Sequence, residues 1–492
     1  MGRDSMNTAP LITAMALALA STALGSTDAI AAPNEQTIMF ETQTGETVEA
    51  VEGFLTVPVN RSDPDSGTMK IAYVRFAATT DTPGSPIVYL SGGPGGSGID
   101  TATGPRFPLF MAMRQHADVI AFDQRGTGKS DSPERCVSRI NVGEMEVISD
   151  AEFDQRHRLA ARECAAQWKA SGDDLRGFNT AESAQDLSDL RQHLGAEKIS
   201  LWSISYGSHL ALASIAAIPD ELDRVIMAAT EGLDQTVKLP ARTMGYFKRL
   251  QEAVNAQPKA RALYPDIVGL MQRVNAKLDK EPMKLTIPKR DGGTYDLMLQ
   301  RRHLQQFGGG LVMDPQYASV LLEMYRQLDE GDTTLTIGIF QRFWTPDQPI
   351  SFAAMPLAMD RASGITPARM KAFERQADLS PLGKYVNFPM PQMLGEFEEI
   401  DLGPNFRDGP FGDVPVLMFT GSLDGRTYPE AHAEATAGLR NVQQIFVENA
   451  GHNLFMTTPE VGEAMHQFMR GETAKSDRIV AEAPDFSSPP GL

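Results

Sequence analysis

The length and charge of the chain limit the kind of protein it encodes. Its 492 residues are too many for one simple core, so we expect one large domain with a big insertion, or two domains. The net charge of −18 argues against nucleic acid or an anionic membrane as a partner, because both require a basic face.

The first 31 residues have the pattern of a signal peptide. Arg3 supplies a positive charge, residues 11–25 are apolar, and Ala29-Ile30-Ala31 fits a small-residue cleavage site. An uncleaved tether and a later start at Met6 are the alternatives. No other apolar run approaches transmembrane length. We therefore expect an exported protein, periplasmic or secreted, without stable membrane insertion.

Cys136 and Cys164 are the two cysteines of the sequence. In an exported protein a lone pair is most simply a disulfide, and a disulfide is predicted here. Two buried free thiols are the alternative.

Eight segments along the chain have the composition of β-strands. They are residues 53–59, 69–77, 86–90, 117–122, 199–204, 224–230, 414–420 and 444–447. Helical segments such as 150–171, 181–194 and 461–470 alternate with the later strands. This alternation predicts an α/β fold with a mostly parallel, eight-stranded sheet covered on both faces.

A glycine-rich segment, Ser91-Gly92-Gly93-Pro94-Gly95-Gly96-Ser97-Gly98, follows the third predicted strand. Such a loop lets the backbone approach a ligand and turn its N–H groups inward. A phosphate loop and a plain flexible turn are the alternatives. Its position after a buried strand and upstream of the serine turn described below favours an oxyanion hole.

The segment Gly126-Thr127-Gly128-Lys129-Ser130 resembles the end of a P-loop. The full pattern needs a glycine at position 123, which is Asp123 here. We therefore expect a structural loop, with Asp123 and Arg125 paired beneath the site.

The central feature of the chain is Leu201-Trp202-Ser203-Ile204-Ser205-Tyr206-Gly207, where an apolar strand stops at Ser205. A helix-prone, small-residue segment follows at 209–217. This is the strand–turn–helix pattern of a nucleophile elbow, although Ser203 stands where the first glycine is usual. The pattern predicts that Ser205 is a nucleophile.

A serine nucleophile needs a base, and the base needs an orienting acid. Asp424 follows the strand at 414–420 and His452 follows the strand at 444–447, in the order Ser, Asp, His. Either residue alone is weak support, because a loop aspartate is usually a turn former and a lone histidine is usually incidental. Their joint occurrence with the elbow and the glycine loop predicts a catalytic triad.

The segments SGGPGGSG, DQRGTGKS, SISYG, GSLDGRTYPE and ENAGH resemble the α/β-hydrolase family that contains prolyl iminopeptidases and secreted tripeptidyl-aminopeptidase-like enzymes. The resemblance covers most of residues 50–470, and it includes the segment Met355-Pro356-Leu357-Ala358-Met359-Asp360. Many such enzymes carry a cysteine near this position, but Arg361 follows here.

The resemblance implies hydrolysis through an acyl-enzyme at Ser205, with oxyanion donors in the amides of Tyr206 and Gly93. It also implies carboxylates that bind the amino terminus of the substrate. The candidates are Glu231, Glu396, Glu398 and Glu399. Glu231 is favoured because strand ends face the cleft, whereas the other glutamates are also explained as a solvated acidic face.

Little strand pattern is found between residues 233 and 410, and a loop of this length without its own structure is implausible. We predict a core at 32–232 and 411–472, a helical lid at 233–410 inserted between the strand after the elbow helix and the acid-bearing strand, and a disordered tail at 473–492.

The sequence therefore predicts an exported serine aminopeptidase that releases N-terminal residues or short peptides. A carboxylesterase with the same triad is the alternative, because it needs neither an amine leaving group nor a charged substrate terminus, and a catalytically silent binding protein is a third. The expected partner is a peptide or small ester substrate. No cofactor is expected, and no HExxH or His/Cys cluster suggests a metal.

Overall fold

In the part of the chain that the structure describes, the strands form one large sheet and two small ones. The computed structural model describes residues 35–393 and 395–490, so the signal peptide predicted at 1–31 lies outside the described residues. The strands in chain order are β1 (Glu35–Glu41), β2 (Thr47–Pro58), β3 (Thr68–Phe76), β4 (Ile87–Leu90), β5 (Val119–Phe122), β6 (Cys136–Val137), β7 (Ile199–Ile204), β8 (Leu222–Ala228), β9 (Met283–Pro288), β10 (Thr294–Leu299), β11 (Ser351–Phe352), β12 (Val416–Gly421), β13 (Val442–Glu448) and β14 (Arg478–Val480).

Helices cover the large sheet and fill the segment between β8 and β12. They are α1 (Gly98–Thr103), α2 (Phe107–Met113), α3 (Asp150–Ser171), α4 (Thr180–His193), α5 (Tyr206–Ala217), α6 (Pro240–Asn255), α7 (Pro258–Leu263), α8 (Ile267–Lys280), α9 (Arg301–Leu311), α10 (Pro315–Glu330), α11 (Thr334–Phe343), α12 (Ala354–Ser363), α13 (Pro367–Gln376), α14 (Pro404–Arg407), α15 (Pro429–Ala435) and α16 (Pro459–Met469).

The large sheet has ten strands in the order β1-β2-β3-β5-β4-β7-β8-β12-β13-β14. The pairs from β5 to β14 are parallel, whereas β1, β2 and β3 pair antiparallel. Every residue of β4, β7 and β12 is buried, as expected for parallel strands covered on both faces. The predicted α/β fold is confirmed.

The predicted number of eight strands is too low, because the two edge strands were missed. β1 carries mostly polar residues and is largely exposed, so its sequence lacks an apolar pattern. β14 has three residues and lies in the segment that was predicted to be disordered. There, Phe486 is fully buried and its amide donates to Oε1 of Gln257 at 3.0 Å. The segment at 473–490 is therefore packed against the rest of the protein, because a few apolar side chains outweigh its Pro- and Ser-rich composition.

The insertion at 233–410 contains helices α6 to α14, and most of its buried apolar residues belong to one cluster, which a few residues from outside the insertion join. It also contains the hairpin β9–β10, which the prediction of a helical lid missed. The short β11 also belongs to the insertion, but it pairs with β6, which lies outside it. The division of the chain into core and lid stays a prediction.

Cys136 and Cys164 form a disulfide between β6 and α3, with their Cα atoms 5.5 Å apart. Ser149 caps α3 by accepting a hydrogen bond from the amide of Glu152, and Gly172 at φ 85° ends it. The predicted bridge is thus present in the structure.

The expected pairing of Asp123 with Arg125 is wrong. The carboxylate of Asp123 accepts hydrogen bonds from Ser97 Oγ at 2.6 Å and from the amide of Lys129 at 2.8 Å. Arg125 instead forms a buried ion pair with Asp186 of α4 at 2.6 Å. The loop is structural as predicted: a Cβ at Gly128 would lie 2.0 Å from the Asp123 carboxylate, so this glycine makes room for an aspartate.

Among the helices at 35–393 and 395–490, none combines the length and the apolar character needed to cross a membrane.

Candidate active site

Ser205 occupies a strained turn between β7 and α5, with φ 56° and ψ −129°. Its amide donates to the carbonyl of Ala228 at 3.0 Å, which ties the turn to the neighbouring strand. A Cβ at Gly207 would lie 2.1 Å from the carbonyl oxygen of Leu90, so a glycine is required there. Ser203 is tolerated in place of the usual glycine because it is small and its hydroxyl donates to Ile226 O at 3.0 Å.

Asp424 and His452 follow the adjacent parallel strands β12 and β13, which brings them together. Nδ1 of His452 lies 2.9 Å from Oδ2 of Asp424. The same carboxylate accepts the amides of Arg426 and Thr427 at 2.7 and 2.9 Å, and the hydroxyl of Thr427. Burial alone would raise the pKa of Asp424, but the imidazole and these donors hold it below its ordinary value. The carboxylate is thus kept ionised and fixed beside the ring.

Ser205 and His452 line one cleft of about 400 Å³ at the carboxyl ends of the parallel strands. Nδ1 of His452 is held by Asp424, so Nε2 is the ring nitrogen left for proton transfer. No hydrogen bond between Ser205 Oγ and His452 Nε2 is present among the described residues. In the absence of substrate such bonds are often long. The arrangement keeps Ser205, His452 and Asp424 at one edge of the sheet, and their roles in a triad stay a prediction.

The glycine loop lies directly against Ser205. A Cβ at Gly92 would be 2.9 Å from Cβ of Ser205, so the backbone can approach only because this residue is a glycine. Tyr206 is the first residue of α5, so its amide has no hydrogen-bond acceptor within the helix. The amide of Gly93, at φ 126°, donates to no described protein acceptor. Both predicted oxyanion donors are therefore available.

Glu231 lies beyond the end of β8 and lines the cleft, as predicted. Its carboxylate is 2.5 Å from Nζ of Lys238, and both side chains are almost fully buried. Burial disfavours both charges, and it lowers the pKa of Lys238. At Glu231, burial is outweighed by Lys238 together with the nearby His209 and Arg426, so the pKa of that carboxyl is lowered. Glu231 therefore already has a cationic partner, which the sequence did not indicate.

The glutamates of the insertion are not brought to the cleft. Glu396 forms an ion pair with Arg162 of α3 at 2.8 Å, and Glu398 and Glu399 are exposed on a short turn. The prediction that Glu396 and Glu398 bind the substrate is therefore corrected. Glu396 instead joins the insertion to α3.

Sequence reasoning missed Asp360, which lies on α12 and lines the cleft with Glu231 and Lys238. No described side chain or amide donates to its carboxylate. Burial, and after it the nearby charge of Glu231, raise the pKa of Asp360 to about 7. The one signal in the sequence was the Met355–Asp360 segment, which resembles the family, but nothing there showed that α12 turns Asp360 toward the cleft.

Other residues of the insertion complete the cleft wall. They are Thr236, Met313, Asn387, Phe388 and Met390. The wall is therefore mixed, with apolar side chains beside the charged cluster.

The family model of the α/β-hydrolase fold matches residues 85–459, which is most of the chain. The chain belongs to the α/β-hydrolase family. The elbow, the glycine loop and the Asp–His pair lie at the strand ends where such enzymes place their catalytic groups.

Three curated proteins are similar to parts of the chain. A tripeptidyl aminopeptidase of Streptomyces coelicolor is 29% identical over 191 residues, which cover 36% of this chain and 34% of that protein. The serine protease Hip1 of Mycobacterium tuberculosis is 29% identical over 184 residues, covering 36% and 35%. Carboxylesterase B of Mycobacterium tuberculosis is 29% identical over 148 residues, covering 28% of each chain. The matches thus span about a third or less of each relative's length.

Proposed function

We propose that this protein is an exported serine aminopeptidase that removes N-terminal residues or short peptides through an acyl-enzyme. The observation that carries the proposal is the composition of one cleft: Ser205 and His452 share it with two carboxylates, Glu231 and Asp360. The first two can break an acyl bond. The other two can bind an ammonium group.

In the proposed mechanism, Ser205 Oγ attacks the scissile carbonyl while Nε2 of His452 takes its proton. Asp424 holds the imidazole in the required tautomer and stabilises its positive charge. The amides of Gly93 and Tyr206 stabilise the oxyanion, each typically by about 3–4 kcal/mol. His452 then gives the proton to the leaving amine, and water releases the acyl group by the same steps.

We propose that Asp360 is the main carboxylate for the substrate's amino terminus, with Glu231 beside it. Glu231 is already neutralised by Lys238, whereas Asp360 has no described donor. Adding an ammonium group beside Asp360 would stabilise its ionised form and supply the missing partner.

Export is part of the proposal. It is supported by the signal-peptide pattern of residues 1–31 and by the disulfide between Cys136 and Cys164, since structural disulfides persist in oxidising compartments.

The alternative is a carboxylesterase with the same triad, which the similarity to carboxylesterase B favours. An esterase does not need to protonate an amine leaving group or to bind an ammonium. A silent binding protein would leave Ser205 unreactive.

The test is a panel of aminoacyl, dipeptidyl and tripeptidyl anilides, each with a free and an N-blocked amino terminus, together with short-chain esters. We expect cleavage of free-amine anilides, weak cleavage of the blocked forms, and no activity in Ser205→Ala. Cleavage of esters alone would favour the esterase, and no cleavage of any substrate would favour the binding protein.

A further inference from the structure

The cleft contains a cation that the mechanism above does not use. Arg106 lies between α1 and α2, is partly buried, and lines the same cleft as Ser205 and His452. Its guanidinium donates to the hydroxyl of Tyr89 and to Oδ1 of Asn453, the latter at 3.1 Å. Within the described residues no carboxylate lies at ion-pair distance from it. This charge is thus uncompensated in a protein of net charge −18.

The guanidinium of Arg106 is held in place from several sides. It lies 5.6 Å from the ring centroid of Tyr89 and 5.7 Å from that of Phe455. Asn453 is fixed in turn, because its amide donates to Asp314 at 3.1 Å. An arginine has five N–H donors, and the two bonds above leave three without a described acceptor in a residue that lines the cleft. A fixed guanidinium with unused donors matches the geometry of a carboxylate.

The position of Arg106 indicates which part of a substrate would reach it. Asn453 directly follows His452, and the imidazole of a serine hydrolase hands its proton to the leaving group. The leaving portion therefore lies on the side of His452. Glu231 and Asp360 belong to other elements: Glu231 follows β8, with its amide donating to Ser208 Oγ at 2.9 Å, and Asp360 lies on α12.

We propose that Arg106 binds a carboxylate on the leaving portion of the substrate, so that the protein prefers short peptides whose free C-terminal carboxylate reaches this guanidinium. The proposal rests on the acyl-transfer chemistry proposed above. An acidic side chain in the leaving portion would offer the same chemistry, and the experiment separates these two sources.

The experiment compares kcat/KM for matched peptides in the wild type, Arg106→Gln and Arg114→Gln. One pair of peptides differs only in a C-terminal acid or amide. A second pair, both amidated, carries Glu or Gln in the leaving portion. Arg114 is the control because it follows the other end of α2 and donates to Ala77 O at 2.6 Å, so its loss changes net charge equally without touching the cleft.

In the wild type and in Arg114→Gln we expect the acid to be favoured over the amide by about tenfold or more, through KM. In Arg106→Gln we expect the ratio to fall to about one. If the Glu pair alone shows the preference and loses it in Arg106→Gln, the carboxylate site stands and the preference for a free C-terminus is overturned. The whole proposal is overturned if the wild type shows no preference in either pair, or if Arg106→Gln retains it.

A third pair makes failure of this proposal distinguishable from failure of the aminopeptidase proposal. It consists of two aryl esters whose leaving phenols differ only in a meta-carboxylate. If peptides are not cleaved but the carboxylated ester is preferred and the preference is lost in Arg106→Gln, the peptidase proposal fails and the carboxylate site stands. If peptides are cleaved with no preference in either peptide pair, the peptidase proposal stands and the carboxylate site fails.

Discussion

Asp424 and Asp360 are buried carboxylates in two regions of the molecule, and the protein surrounds them differently. Asp424, after β12, accepts hydrogen bonds from an imidazole, a hydroxyl and two amides, and its pKa is held below the ordinary value. Asp360, on α12, accepts none from described residues, and burial raises its pKa to about 7.

In the proposed mechanism, the difference separates a carboxylate that must stay fixed and ionised from one that gains a cationic partner when the substrate binds. An acid that orients a catalytic imidazole must be ionised and fixed before the substrate arrives. A group that binds a cationic substrate gains most when the substrate supplies the missing charge. The predictions below test this contrast, from the largest expected effect to the smallest.

Asp424→Asn should lower kcat/KM for every substrate, ester or amide, by about 10⁴-fold, because the imidazole loses its tautomer and its counter-charge. Steady-state kinetics with an activated ester measures it. Asp413→Asn is the matched control, since Asp413 forms only an exposed ion pair with Arg440. A loss below tenfold in Asp424→Asn would mean that Asp424 does not orient the base.

Glu231→Gln should destabilise the fold by about 3–5 kcal/mol, because it leaves the buried ammonium of Lys238 without its carboxylate. Denaturant unfolding measures the change. The double variant Glu231→Gln/Lys238→Met should recover most of the lost unfolding free energy, since it removes the unpaired ammonium of Lys238. Equal stability of the wild type and Glu231→Gln would show that the pair is not structural.

Asp360→Asn should lower kcat/KM for free-amine substrates by about 10- to 100-fold relative to N-blocked ones, because one charge-assisted contact is lost. Glu398→Gln is the control, since Glu398 is an exposed carboxylate of the insertion outside the cleft. An equal loss for blocked and free substrates would assign Asp360 a structural role instead.

The same ratio of free-amine to blocked substrates should depend on pH. In the wild type it should rise as pH increases through about 7, where Asp360 ionises, and fall again above about 8, where the substrate amine loses its proton. Asp360→Asn should lack the rise. A wild-type ratio that is flat between pH 5 and 8 would contradict this role.

The pKa of Asp360 also has a consequence for stability, with a definite sign. The folded value is raised from 3.8 to about 7, so the resulting stability is present below about pH 4 and is lost as pH rises through 7. The difference in Tm between Asp360→Asn and the wild type should therefore shift in favour of the variant by about 2–4 °C from pH 5 to pH 8. Thermal unfolding at both pH values measures it, and an unchanged difference would contradict the raised pKa.

The sequence was sufficient to predict the positions of the side chains that lie at strand ends, whereas their catalytic roles stay a prediction. Ser205 was predictable because the close approach of Leu90 demands Gly207 beside it. Asp424 and His452 were predictable because parallel neighbouring strands end at the same edge of a sheet. These constraints act on short segments at strand ends, so they can be recognised in the sequence.

What the sequence did not reveal depends on packing between distant segments. Asp360 reaches the cleft only because α12 lies over it, and no pattern in the insertion gives that position. Arg125 pairs with Asp186 of α4, whereas the neighbouring Asp123 accepts a hydrogen bond from Ser97. The edge strands were missed because β1 is mostly polar and β14 has three residues.

The most direct test of the central claim is to trap the acyl-enzyme analogue with a fluorophosphonate and locate the adduct by peptide mass spectrometry. We expect one adduct, on Ser205, with stoichiometric loss of hydrolysis, and no adduct in Ser205→Ala. Labelling of a different residue, or undiminished hydrolysis by a fully labelled protein, would contradict the assignment of Ser205 as the nucleophile.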